Sequence, residues 1–292
     1  MKVLNITGLE RAEEFLRLNG RIIDRRRFDL HFRGGSPAPV LAALRAYENA
    51  DGGYGHALEP DLRGEASQPV PAQIALEILH QAGGDGDPAV ARIGDHLASI
   101  TAANGGVPFV LPSVRDTPHG PWWQTPDDPP GSINPTGALA GLLYRAGSRH
   151  SWLDPATDFC WSHLENVSAE PGPYDALSIL IFLDNVPDRD RAEAVFTRLR
   201  DALAAHVTLD PHAEGIHHFP LDFAPAPHGF GHRLFTGDVL DAHLDALIDA
   251  QGEDGGWYVN FPSWTPITKH DWAGHLTVER ARTLQAYGRL KA

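Results

Sequence analysis

Two segments far apart in this chain share one signature, and each directly follows an apolar stretch of helical period. One reads Glu48-Asn49-Ala50-Asp51-Gly52-Gly53-Tyr54-Gly55; the other reads Gln251-Gly252-Glu253-Asp254-Gly255-Gly256-Trp257. Each has a polar opening, then Asp-Gly-Gly, then a large aromatic. A weaker copy, Ala103-Asn104-Gly105-Gly106-Val107-Pro108-Phe109, follows another helical stretch. A signature that recurs after helices constrains the chain to a repeat architecture. Glycine lets the chain turn tightly, and Asp accepts backbone N–H bonds inside such a turn. Asp51 and Asp254 are therefore expected to be turn residues, not catalysts.

Helical periodicity dominates between these turns. Leu9, Ala12, Phe15 and Leu16, followed by Ile22 and Ile23, fit one face of an opening helix. Val40–Tyr47, Ile74–Ala82, Val90–Ile100, Ala138–Ala146, Ala192–Leu203 and Leu240–Ile248 give further stripes at spacings of three and four. A last helix is expected over about 274–290. Ala176–Leu183 is apolar nearly all round, which suits a helix buried on every side, with a short buried strand as the alternative. Prolines 37, 39, 69, 71, 88, 135, 155 and 173 lie at or just before helical stretches, where a missing N–H costs nothing. Short links follow Gly83, Gly147 and Val186. Long aromatic and Gly-rich links span about 50–68, 104–132, 207–235 and 252–272, lengths at which loops tend to be functional.

The 292 residues carry 24 basic and 38 acidic side chains, a net charge of −14. That excess argues against nucleic acid or an anionic membrane as the main partner, since both need a basic footprint. One cysteine, Cys160, excludes an intrachain disulfide. The first seven residues are too polar for a signal peptide, and no apolar run reaches the roughly 18 residues of a membrane span. A soluble, cytoplasmic protein is expected, without an integral membrane segment; its oligomeric state is not encoded in any pattern.

The Asp-Gly-Gly-aromatic segments resemble the QW repeats of squalene–hopene cyclases and protein prenyltransferases: Gln251, Gly255 or Gly256 and Trp257 approximate the motif, and Glu48, Gly52 and Tyr54 vary it. The resemblance implies an all-α fold, a single-domain α/α toroid over residues 1–292. About five to six helical hairpins would form inner and outer rings, with long aromatic-rich loops at one mouth. The Asp-x-Asp-Asp acid of class II cyclases is absent, and Asp188-Arg189-Asp190 suits a helix start. Asp127-Asp128-Pro129-Pro130 begins like the magnesium-diphosphate motif of class I enzymes but continues differently. Asp158-Phe159-Cys160 has the Asp-x-Cys spacing of the prenyltransferase zinc site, yet a buried structural cysteine fits its helical context better. His217, His218, His228 and His232 lie close in sequence without a metal-ligand pattern, and Gly229 and Gly231 argue against a helix there. No metal and no cofactor are expected.

The remaining polar candidates sit in the long loops: His56, Glu59 and Asp61 after the first signature, Asp128 in the second loop, His270 and Asp271 before the last helix. A carboxyl group at a desolvated mouth can serve as an acid, with a neighbouring His as partner; Asp61 or Asp271 is the expected donor, and His56 or His270 the partner. Trp122, Trp123, Phe230, Trp257, Phe261, Trp264 and Trp272 are expected to line an apolar site, because ring faces bind isoprenoid chains and stabilise carbocations. The leading expectation is an enzyme acting on an apolar isoprenoid or polycyclic small molecule by acid-initiated cyclisation or isomerisation. A non-catalytic toroid that binds a lipid or carbohydrate, or serves as a scaffold, is the alternative. A carbohydrate-active lyase or hydrolase is a third.

Overall fold

A computed structural model describes residues 1–167 and 170–291. Its helices are α1 (Ile6–Asn19), α2 (Ile22–Phe32), α3 (Pro37–Leu44), α4 (Pro69–Gln81), α5 (Pro88–Ser99), α6 (Ile133–Arg145) and α7 (Leu153–Glu165). They continue as α8 (Pro173–Asn185), α9 (Arg189–Ala204), α10 (Pro220–Phe223), α11 (Gly229–His232), α12 (Gly237–Asp249) and α13 (Pro266–Ala286). Among the described residues, the isolated β-bridges stand outside any strand, so the fold is all-α as expected. The helix starts follow from the sequence. Asn5, Asp87, Asp188 and Thr265 accept first-turn N–H groups, and Pro69, Pro88, Pro173 and Pro266 occupy first-turn positions.

The chain forms two compact units, Leu44–Ala205 and Met1–Ala43 with His206–Ala292. In the first, α4, α6 and α8 stand side by side, and α5, α7 and α9 each pack on the preceding helix of that row. The α6–α8 contact is close because a glycine faces a backbone: a methyl group at Gly141 would lie 2.4 Å from the Ile181 carbonyl oxygen. Ser178 completes the seam. Its Oγ donates to the Ile133 carbonyl and accepts from the Ala138 N–H, both at 2.8 Å. Residues 176–183 form a helix, and Ala176, Ile179, Phe182 and Leu183 are at most 1% exposed.

In the second unit, α1, α2 and α13 pack on one another, and α10 packs on α12. Leu9, Phe15, Leu16, Phe28, Leu240, Leu244, Trp257, Val278 and Leu284 share one core. Its two chain ends meet: the Leu4 N–H donates to Arg289 O at 2.8 Å, and the Lys291 N–H donates to Leu4 O at 2.9 Å.

Three local expectations change. The opening helix is two, because Gly20 and Arg21 leave helical geometry; Ile22 and Ile23 begin α2. The last helix starts at Pro266, capped by Thr265, so residues 269–272 lie in its first two turns and not in a loop. Residues 229–232 make one helical turn despite Gly229 and Gly231.

The three glycine turns share one hydrogen-bond pattern. Gly53, Gly256 and Gly106 each donate through N–H to the side chain of Asp51, Asp254 or Asn104. Their carbonyls accept from Asn49, Gly252 and Ala102. Gly52, Gly255 and Gly105 have φ of 80°, 93° and 89°. Each turn is pressed on a following or opening helix at residues four apart: Arg92 and His96 of α5, Arg11 and Phe15 of α1, Pro155 and Phe159 of α7. The next residue, Tyr54, Trp257 or Val107, is buried. Glu48 and Gln251, at matching positions, bind Arg92 and Arg11 at 2.6 and 2.8 Å.

Candidate functional site

Within Leu44–Ala205, the segment after the first glycine turn folds into a tight loop. His56 N–H donates to Gly64 O at 2.8 Å, Leu58 N–H to Gly55 O, and Leu62 N–H to Glu59 O. His56 and Ala57 are consecutive non-glycine residues with φ of 56° and 63°. That conformation costs on the order of 1–3 kcal/mol per residue and persists only where surrounding contacts impose it. Here they do: Gly120 N–H bonds Asp61 O at 2.9 Å, and Arg63 N–H bonds Pro118 O at 3.1 Å. The loop carries Glu59 and Asp61, 3% and 2% exposed. Beside it Leu62, Val110, Val114 and Trp123 form an apolar cluster, with Phe109 stacked on Trp123 at 4.7 Å. A pocket of about 10 Å³ next to the loop, bordered by Leu62, Gln68, Ser113 and Thr117, has room for one water molecule.

A chain of polar groups ties this loop to the turn before it. His56 Nε2 meets Asn49 Oδ1 at 2.9 Å, Asn49 Nδ2 donates to Ser67 Oγ at 2.9 Å, and Ser67 Oγ donates to Asp51 Oδ1 at 2.7 Å. Asp51 Oδ2 lies 3.4 Å from Nδ1 of buried His96. Burial alone would raise the Asp51 carboxyl, but the Ser67 and Gly53 donors hold it below its usual value. Burial pushes the His96 imidazole down, against the pull of Asp51. His56, expected beside a carboxylate, is engaged by an amide.

Within the other unit, the first turns of α13 gather several expected residues. Asp271 is 7% exposed, and His270 faces solvent. Phe261 meets Trp272 edge-on at 6.0 Å; both are half-buried, as is Trp264. The other aromatics divide differently. Trp257, Phe230 and Trp123 are buried at 2%, 3% and 5%, and the Trp257 indole donates to Leu247 O at 2.8 Å. Trp122 is 45% exposed. Asp128 is exposed next to Asp127, which pairs with Arg115.

A charged cluster between α2 and α13 has no counterpart in the sequence reading. Asp24 and Arg27 are 0% and 1% exposed. Arg27 pairs with Glu279 and lies 3.7 Å from Asp24, which Arg21 also holds at 2.8 Å. Glu279 binds Arg282 at 2.8 Å, and Arg27 reaches His275 Nδ1 at 3.4 Å. The signal was an i, i+3 Asp–Arg pair beside the buried Ile23 and Phe28. Merging α1 with the start of α2 hid it.

No family model matches this chain, and no curated protein does. Among solved structures, a protein from Actinoplanes superposes with a TM-score of 0.58 at 15% identity, covering 97% of this chain and 99% of that one. A variant of the type II terpene cyclase MstE from Scytonema, in complex with its product merosterolic acid A, superposes with a TM-score of 0.53 at 12% identity, covering 95% of this chain and 94% of that one. The fold is an all-α fold of the terpene-cyclase toroid type. At these identities the likeness to the cyclases concerns the fold alone. Of the motifs weighed against that toroid family, Asp188 caps α9 by accepting the Arg191 N–H. Cys160 is wholly buried, which pushes its thiol up. Among the described residues, no three His, Cys, Asp or Glu side chains group as metal ligands, and no helix is long and apolar enough to cross a membrane.

Proposed function

We propose that the chain is a terpene-cyclase-like enzyme that cyclises or isomerises an apolar isoprenoid or polycyclic substrate, initiated by a carboxylic acid. The observation that carries this reading is the loop 55–64. It holds two carboxyl side chains, Glu59 and Asp61, away from water on a backbone with two left-handed non-glycine residues. Proton transfer to an alkene needs an acid that is shielded and fixed in place. The O–H bond breaks as a C–H bond forms from the alkene π electrons, leaving a cation on the neighbouring carbon. In cyclisation a second double bond attacks that cation and passes the positive charge to a further carbon. In cyclisation and isomerisation alike, loss of a proton from the carbon next to the final cation to the carboxylate forms the product alkene and restores the acid, so no oxidant or reductant is consumed. Asp271 is the second candidate donor, and the half-buried rings of Phe261, Trp264 and Trp272 lie in its own unit, where ring faces suit a passing cation. The product bound to MstE supports an apolar ligand class. The likeness spanning both units supports treating residues 1–292 as one domain.

The test is incubation in D2O with a panel of linear isoprenoids and polycyclic olefins, read by mass spectrometry. A product carrying deuterium at carbon is expected. Asp61→Asn should lower turnover at least ~100-fold, the usual size of general-acid loss, and Glu59→Gln should separate the two carboxyls. Full turnover in the Asp61→Asn, Asp271→Asn double variant would remove both donors from the mechanism.

One observation favours a non-catalytic binding toroid as the second reading. Trp123, Trp257 and Phe230, expected to line a site, are packed in cores instead. Recovery of a bound ligand unchanged, without deuterium, would favour it.

A further inference from the structure

The charged cluster on α2 and α13 takes no part in the acid chemistry above, yet it fixes the state of one imidazole. Arginine has donors only, so Arg27 must donate to His275 Nδ1, and the ring proton then sits on Nε2. Asp24 and Glu279 flank the Arg27 guanidinium and hold its direction. Burial and the adjacent Arg27 charge push the His275 pKa down to about 4, so the ring is neutral at physiological pH. A cation donating to Nδ1 polarises the ring and strengthens Nε2–H as a donor. His275 is only partly buried. Trp272, three residues earlier, meets it edge-on at 5.9 Å, and Phe261 continues the row. Asp271, four residues earlier on the same helix, shares its face. An aromatic wall thus ends in one neutral N–H group whose tautomer is set from behind.

We propose that His275 donates its Nε2–H to an oxygen atom of the ligand, while the rings of Phe261 and Trp272 cover the adjoining hydrocarbon. The ligand class is then an isoprenoid or polycycle bearing a carbonyl, carboxylate or hydroxyl oxygen, in place of a bare hydrocarbon. Arg27 is a positioning residue that acts through His275. The ligand class rests on the function proposed above; the imidazole state does not.

The experiment compares farnesol, farnesoic acid and the hydrocarbon farnesene by quenching of tryptophan fluorescence. The wild-type chain should bind the two oxygenated probes about tenfold more tightly, the worth of one hydrogen bond. His275→Phe should bring all three within about twofold by the loss of that bond, and His275→Gln, which keeps an N–H donor, should restore part of the preference. Equal binding of the three by the wild type, or an undiminished preference in His275→Phe, overturns the role of His275 and leaves the apolar-ligand reading standing. Failure of all three to bind overturns both. If His275→Phe does not fold, nitrogen NMR of the wild type at neutral pH decides. A neutral ring protonated on Nε2, altered by Arg27→Met, supports the proposal; a cationic ring or one protonated on Nδ1 overturns it.

Discussion

The turn glycines set local tolerance residue by residue. A methyl group at Gly255 would lie 2.2 Å from Arg11 O, and one at Gly52 would lie 2.5 Å from Arg92 O, both at positive φ. Gly83 also has positive φ, but nothing lies within 4 Å of its added methyl. Gly255→Ala and Gly52→Ala should therefore each cost about 3 kcal/mol or more, from left-handed strain plus overpacking, whereas Gly83→Ala should cost only about 1 kcal/mol. Urea unfolding of the variants checks the contrast. This layer was the most legible in the sequence: an acid or amide, two glycines and an apolar residue have few ways to follow a helix. What the sequence did not show was the partner of each turn, because Arg11, Arg92 and Pro155 lie far from the glycines they meet.

At the scale of elements, the α6–α8 seam depends on one buried hydroxyl. Ser178→Ala leaves the Ala138 N–H and the Ile133 carbonyl without that bridge, and should cost about 1–3 kcal/mol, measured by the same unfolding. Periodicity placed both helices but could not reveal that a serine inside an apolar run, Ala176–Leu183, serves a neighbouring helix. The start of α13 was missed for a related reason. The run Pro266–His275 is polar enough to look like a loop, and only its Thr265 cap and Pro266 mark a helix. With 269–272 taken as loop, the helical spacing of Asp271 to His275 and Glu279 does not show in the sequence. The break at Gly20 concealed Asp24 and Arg27 in the same way. The candidate site was thus half legible: the acids of loop 55–64 stood out among loop residues, while the charged pairs of α2 and α13 resembled ordinary solvated faces.

Across the whole molecule, partly and wholly buried imidazoles make stability depend on pH. Burial lowers the pKa values of His275, His96, His163, His218 and His243. The unfolded chain takes up these protons first as pH falls, so it gains relative to the folded state. For His275 the window runs from 6.5 down to about 4, on the order of 3 kcal/mol when fully traversed. Thermal unfolding should shift to lower temperature through that window. His275→Phe should flatten the slope there; an unchanged slope would place the lost stability on other groups.

One unit joins the two ends of the chain, with Leu4 bonded to Arg289 and Lys291. On a ribosome, residues 1–43 therefore emerge long before residues 206–292, on which they pack, while the continuous stretch 44–205 has all of its own contacts to hand. The part of α1 that packs on α13 stays uncovered until α13 is made, although α2 is at hand from the start. A chain stopped before α13 would leave that part of α1 exposed, a place where a chaperone or a protease could engage it.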